Sequence, residues 1–463
     1  MAKGCVRSNT LLVFTIGGVM CGVGLGVLIQ HLGPSQTTLM WVGLPGELYI
    51  RFLKMLIVPL VVTSVISGTS SLNANSSGKV GACTVVYFLL TNFVGCVIGC
   101  LLTVLVTPGN SLPKDACVME QKSSEISYHD LFADVFRNLV PDNLFLSTFQ
   151  QTQTRYQMQN TCISTNQTED RQTTRKKTLE PVDGANVLGI LTVSFLVGIC
   201  AGKVKEDVEV FRAFFNSSFN IMLYLMRLFM WCTPLALLSL LAKIVSSTDS
   251  LLEDLTAIGM YLVTVTVGQC IVVMVIVPLL CIIVIRKNPM HFYYALREPL
   301  MLSIATASTA AAIPDTVCIL VTGMGVDKHV AQFLVPLSTT IGRCGTSLYV
   351  SVASVFLLQM QTSGTNAETV ALVCLMATLL STAAPSVTGS SMAVIILILS
   401  NFSVSSDLVA ILFSTDWIID RIRTITNYVV QVLGILITNS LCVPLTSNAV
   451  RRISDVSSFN THL

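Results

Sequence analysis

Asp416, Asp420, Arg423, Thr424, Asn427 and Gln431 recur at steps of three or four residues near the end of the chain. At 3.6 residues per turn they share one face of a helix. The intervening positions are Trp417, Ile418, Ile419, Ile422, Ile425, Val429 and Val430, so the helix is apolar apart from this stripe. A carboxylate, a guanidinium and an amide one turn apart match an ammonium and two carboxylates, the charged groups of an acidic amino acid. The plainer alternative is an internal ion pair, Asp420 with Arg423, that only locks helices together.

Composition defines the medium in which this stripe must be positioned. Of 463 residues, 52% are hydrophobic and 11% charged, and mean hydropathy is +0.74. A soluble chain carries about 25% charged residues, so the solvent here is lipid. A charge at the bilayer centre costs from about 3 to above 10 kcal/mol, and it persists where it faces a bundle interior or wet cavity. Net charge is +2 with no basic stripe, which excludes nucleic acid as a partner. The histidines (His31, His129, His291, His329, His462) are isolated, and no Ser-His-Asp set, HExxH or Gly-rich phosphate loop is present, so an enzyme is not expected. The 15 cysteines lack the paired spacings of a zinc or disulfide framework. Only Cys117 and Cys162 share a polar loop, where a disulfide and two free thiols are both open readings.

Apolar runs of membrane length cover Leu11 to Gln30, Leu48 to Ile66, Val80 to Val106, Val187 to Gly202, Phe219 to Leu241 and Ile258 to Ile285. The first is too long and Gly-rich for a signal peptide. Lys3 and Arg7 precede it, and Lys79, Lys203, Lys205, Arg286, Lys287, Arg451 and Arg452 fall on the same side under alternation. The positive-inside rule places that side, with both termini, in the cytoplasm. Residues 108–184 are polar and fall outside, where Asn166-Gln-Thr is a glycosylation sequon. Sequons at Asn75, Asn216 and Asn401 lie in or beside spans or on the inner side and read as chance matches. Asp130 to Leu139 reads as a short amphipathic helix within this segment.

Beyond Arg297 the pattern of whole spans fails. PLMLSIATASTAAAIPDTV is apolar but small-residue-rich, with Pro314 beyond its centre. VALVCLMATLLSTAAPSVTGSSMAVIILILS has two halves, each too short to span, separated by Pro385, Thr388, Gly389, Ser390 and Ser391. Interrupted segments at two separated places point to re-entrant hairpins around a transport site, the alternative being two Pro-kinked spans.

These residues carry a resemblance. GELYIRFLKMLIVPLVVTSVISG, NVLGILTVSFLVGICAGK, FFNSSFNIMLYLMRLFMWCTPL, GVDKHVAQFLVP and above all DWIIDRIRTITN resemble the glutamate and neutral amino acid transporter family, the dicarboxylate/amino acid:cation symporters, across nearly the whole chain. The resemblance implies an all-α polytopic membrane protein with eight transmembrane helices plus two re-entrant hairpins in an inverted-repeat transporter fold. It also implies a homotrimer with an elevator motion. The expected organisation is the first three spans over 1–107, an extracellular polar loop over 108–184, scaffold spans over 185–245, a transport core over 246–445 and a cytoplasmic tail over 446–463. Asp420 would take the substrate ammonium, Asn427 its α-carboxylate and Arg423 a side-chain carboxylate, with Thr424 beside them. Ser308 and Thr309 keep hydroxyls at the first hairpin tip, and Thr346 matches another substrate-lining position. Arginine at 423 favours an acidic substrate, glutamate or aspartate.

The ion-coupling positions depart from the family. Its Asn-Met-Asp-Gly-Thr reads here Gly342-Arg343-Cys344-Gly345-Thr346, so a sodium-ligating carboxylate becomes a thiol, a poor partner for a hard cation. A second sodium-site aspartate is Gln431, and the glutamate tied to proton and potassium coupling is Val350. The second hairpin tip, Ile-Pro-Gln-Ala-Gly in the family, is Val387-Thr-Gly-Ser-Ser391. Sodium is the co-transported ion that the resemblance implies, and no other cofactor is expected. The alternative is a relative that works as a sodium-independent exchanger, an amino acid binder or an anion-conducting channel. Arg343 either pairs locally or supplies a fixed cation in sodium's place. Thr461-His462-Leu463 fits the C-terminus captured by PDZ domains.

Overall fold

An apolar segment in lipid must satisfy each backbone N–H and C=O within itself, which a helix does. The computed structural model describes residues 2–70, 78–111, 128–162, 171–204, 208–247, 251–286, 288–361, 366–384, 389–402 and 406–442. Among these, six helices are long and apolar enough to cross a membrane: Val13–His31, Gln36–Ser70, Val80–Val106, Thr256–Ile285, Val330–Gln361 and Thr415–Cys442. The pair Glu209–Met230 and Thr233–Ser247 makes a seventh when counted as one crossing, and Val187–Lys203 is a shorter apolar helix. The protein is an all-α polytopic membrane protein.

One expected span differs in form. Phe219 to Leu241 is not a single helix, because the chain breaks at Trp231-Cys232 and turns by 52°. Pro234 follows in the first turn of the next helix, where a residue without an N–H is tolerated but cannot extend the preceding helix. The second helix begins at Gln36, earlier than the Leu48 expected, and keeps Pro45 and Pro59 in its interior.

Helix packing follows the small residues. A Cβ at Gly18 or Gly22 would strike the backbone of Pro234 or Leu238, so the Gly-rich first helix lies directly on Thr233–Ser247. Gln36–Ser70 packs on the same helix and on Val187–Lys203. A second group surrounds Cys344–Gln361, whose residues are buried from Cys344 to Gln359. Gly95 and Gly99 of Gly78–Val106 meet the Cys344 and Leu348 carbonyls with no room for a Cβ. The final helix, Ser406–Cys442, completes that group.

Both interrupted segments form helix pairs. The first runs Arg297–Thr306, a tip with Ala307 at φ 48°, the short 3-10 turn Thr309–Ala312, then Ile313–Thr322 with Pro314 in its first turn. The second comprises Ala367–Ala383 and Ser390–Ser400.

The polar segment 108–184 holds more structure than a loop. The amphipathic helix is present as Tyr128–Leu139. Two antiparallel strands, Gln150–Cys162 and Arg171–Asp183, pair with Gln150 opposite Asp183. Asp134 accepts from the Thr154 amide and hydroxyl, both at 2.7 Å, and Asn138 brackets Thr152, fastening strand to helix. Asn186 donates to the Asn138 carbonyl at 2.8 Å and caps the next helix through Gly189, tying this segment to the membrane core. Asn166, Cys117, Pro385, Val387, Thr388 and the tail with His462 and Thr461 lie outside the described residues.

Candidate functional site

The stripe on the final helix faces the protein interior. Asp416, Asp420, Arg423, Thr424, Asn427 and Gln431 are all buried, as the cost of charge in lipid requires. Arg423 donates from Nε to Asp420 Oδ1 at 2.7 Å and also pairs with it through Nη2, so the ion pair read as the plainer alternative does form. It is not isolated. Arg423 Nη1 reaches Thr346 Oγ1 at 2.9 Å, and Asn427 Nδ2 donates to the same hydroxyl at 2.9 Å. Asn427 Oδ1 accepts from the Gly345 and Thr346 amides, capping the helix Cys344–Gln361.

The second hairpin reaches this cluster, and the first packs on the same helix. The Gly389 N–H donates to Asp420 Oδ2 at 3.2 Å, from a backbone at φ +75° that favours glycine. Gly389 is the N-cap of Ser390–Ser400, so the positive end of that helix approaches the Asp420 carboxylate. The fully buried Ser391 hydroxyl has no hydrogen-bond partner among the described residues. The first hairpin packs against the final helix, with Thr309 buried at its tip and Thr316 Oγ1 2.9 Å from Tyr428 Oη. Polar groups from the final helix, the helix after the break and the second hairpin therefore meet at Asp420 and Arg423, and the first hairpin packs on the final helix. Thr424 spends its hydroxyl on the Asp420 carbonyl at 2.6 Å, which makes it a helix-supporting residue here.

The helix break at Gly342-Arg343 has a different character. Carbonyls exposed by such a break can coordinate a cation, yet those from Ile341 to Gly345 each receive a hydrogen from the protein. Asn92 Nδ2 donates to Ile341 O at 3.0 Å, Gln431 Nε2 to Gly342 O at 2.7 Å and the Ser347 amide to Arg343 O at 2.8 Å. Ser347 Oγ donates to Cys344 O at 2.9 Å and Gln269 Nε2 to Gly345 O at 2.8 Å. Cys344, Arg343 and Val350 are buried around this segment, and Gly342 has no space for a Cβ beside Gln431 and Phe88. A sodium ion here would share carbonyls that already accept a hydrogen bond, and the side chains at 344 and 431 offer it a thiol and an amide in place of carboxylates.

Sequence reasoning missed Asn92, Gln269, Tyr349 and Tyr428. Asn92 and Gln269 carried a signal, since each is a lone amide inside an otherwise apolar span. The two tyrosines carried none, because phenols are common in membrane helices.

The model of the sodium:dicarboxylate symporter family matches residues 11–441. Excitatory amino acid transporter 2 of Homo sapiens is 33% identical over 446 residues, covering 92% of this chain and 78% of that protein. Excitatory amino acid transporter of Caenorhabditis elegans is 31% identical, covering 93% and 87%. Excitatory amino acid transporter 3 of Homo sapiens is 30% identical, covering 95% and 88%.

Proposed function

The chain belongs to the sodium:dicarboxylate symporter family, and on that premise we propose that it carries glutamate or aspartate across the membrane through the site at Asp420, Arg423 and Asn427. The carrying observation is the convergence on one ion pair: Gly389 of the second hairpin on Asp420, and Thr346 on Arg423. On substrate entry, Asp420 exchanges Arg423 for the ammonium, and Arg423 turns its planar fork to the side-chain carboxylate. Asn427 releases Thr346 Oγ1 to meet the α-carboxylate. Ser308 and Thr309 supply hydroxyls from the first hairpin, and Ser391 from the second. The helices around Val330–Gln361 move as one body against a trimeric scaffold, with both termini in the cytoplasm of a plasma-membrane protein.

Coupling departs from the family's name. The hydrogen bonds of Asn92, Gln431, Ser347 and Gln269 to the break support a site that works without sodium there. A sodium gradient then does not drive accumulation, while counter-exchange of amino acid continues. The test is radiolabelled aspartate exchange in proteoliposomes with sodium replaced by choline. Exchange of unchanged rate supports the reading. Steep sodium dependence in the unmodified protein defeats the coupling part of it, and absence of any aspartate exchange in either salt defeats the substrate.

A further inference from the structure

Arg343 is a buried charge that substrate recognition at Asp420, Arg423 and Asn427 leaves unused. It is 3% exposed and stands at the break between Lys328–Ile341 and Cys344–Gln361. Its amide donates to Asn92 Oδ1 at 2.9 Å and its carbonyl accepts from the Ser347 amide at 2.8 Å, so the backbone is fixed on both sides. Those hydrogen bonds form with any residue that carries an amide, so they do not account for a guanidinium. The side chain acts electrostatically on Arg423 of the final helix. Burying a guanidinium is costly, and a second one within electrostatic reach adds to the cost. The positive end of Cys344–Gln361, directly after it, adds more. An anion admitted to this region relieves all three.

Among the described residues around Cys344–Gln361, the other enclosed charges are Asp416, Asp420 and Arg423, all buried, and Arg421, half-buried. Asp420 is paired with Arg423, and Tyr349 donates to Asp416 at 3.0 Å. Arg421 acts on Asp420 from the same helix and donates to the Trp417 carbonyl at 2.7 Å. At 344, 350 and 431 a thiol, an apolar group and an amide stand where the resemblance expects carboxylates. At 343 a guanidinium stands where it expects a thioether. All four changes move the local charge in the positive direction, three by removing a negative charge and one by adding a positive one. A bound cation would move it the same way.

Resting on the acidic-substrate reading above, we infer that Arg343 is a specificity-determining residue, a tethered cation whose field favours amino acids of net negative charge at the site on the final helix. It acts without touching the ligand. Asp420, Asn427 and Arg423 recognise the groups that the ligand carries, whereas Arg343 responds to its net charge. Asparagine, with net charge zero, gains nothing from this field to first order. Aspartate has nearly the same shape and one more negative charge, and it gains. At an effective dielectric of about 20, a unit charge about 10 Å from a carboxylate changes affinity by about tenfold. Arginine stays protonated at neutral pH, so the field is permanent and needs no ion from solution.

The experiment measures radiolabelled aspartate binding to the purified full chain in sodium-free choline buffer, with unlabelled aspartate and asparagine as competitors. Arg343→Gln keeps hydrogen-bond donors at the position and removes the charge. Aspartate affinity is expected to fall about tenfold or more while asparagine stays within about threefold, so the preference for aspartate falls about tenfold. Arg343→Lys keeps the charge, and its preference stays within about threefold of the parent. A residue that only held the break together would lower both ligands alike and would not be rescued by lysine. Arg343→Met, the residue that the resemblance expects at this position, takes the place of Arg343→Gln if that variant does not fold. An unchanged preference in the neutral variant, or a preference lost equally in Arg343→Lys, overturns the inference and leaves the substrate reading standing. A folded parent that binds no acidic amino acid defeats the substrate reading, and the inference with it.

Discussion

Arg423→Cys tests the centre of the site. In the structure the guanidinium is 3% exposed, donates to Asp420 at 2.7 Å and to Thr346 at 2.9 Å, and is the group proposed to receive the substrate's side-chain carboxylate. The substitution leaves the aspartate ligand with no partner for that carboxylate and leaves Asp420 with the Gly389 amide at 3.2 Å. Removing one member of a buried charge pair costs about 3–5 kcal/mol. At about 1.4 kcal/mol per tenfold, aspartate affinity falls more than about a hundredfold. A neutral amino acid needs no such partner, so serine or alanine gains relative to aspartate. The assay is competition binding on purified protein whose elution profile matches the parent. Part of the cost falls on folding, because Asp420 is then a buried carboxylate without its cation. Asp420→Asn combined with Arg423→Cys therefore recovers thermal stability lost in the single variant, but not aspartate binding. Arg423→Cys that binds aspartate within about threefold of the parent refutes the role given to Arg423.

Three further outcomes follow from the same geometry. Cys344→Asp and Gln431→Asp with Arg343→Met removes the amide from the Gly342 carbonyl and restores carboxylates, so aspartate binding becomes sodium-dependent by about tenfold or more; indifference to choline replacement would show that the break is not the ion site. Gly389→Ala forces a side chain onto a left-handed backbone 3.0 Å from Met230 Sδ and disturbs the amide on Asp420, costing about 1–2 kcal/mol in unfolding stability by thermal shift; an unchanged melting temperature contradicts the close approach of that tip. In a glycosylating cell, Asn166→Gln removes a mass shift on a denaturing gel, and unchanged mobility of surface-labelled protein counts against an extracellular position for residues 108–184.

The sequence determined what local pattern can determine. Apolar runs of membrane length fix helices because lipid offers the backbone no other partner, and all six expected runs lie in apolar helical segments. The stripe from Asp416 to Gln431 follows from a 3.6-residue period, and Pro314 and Gly389 stand at the start of each hairpin's second helix. The tertiary structure decided what fills each partner's hydrogen bonds. Two polar strands with Gln, Thr and Arg on both faces carry no apolar alternation, so Gln150–Cys162 reads as loop until its pairing with Arg171–Asp183 and its anchoring on Asp134 are seen. Likewise Cys344 and Gln431 in sequence tell only that two carboxylates are missing. That the carbonyls beside them accept hydrogen bonds depends on Asn92, some 249 residues before Ile341, on Gln269, 76 before Gly345, and on Gln431, 89 after Gly342. The break's carbonyls need donors wherever the chain can bring them, and no spacing rule links residues that meet only after three spans have packed.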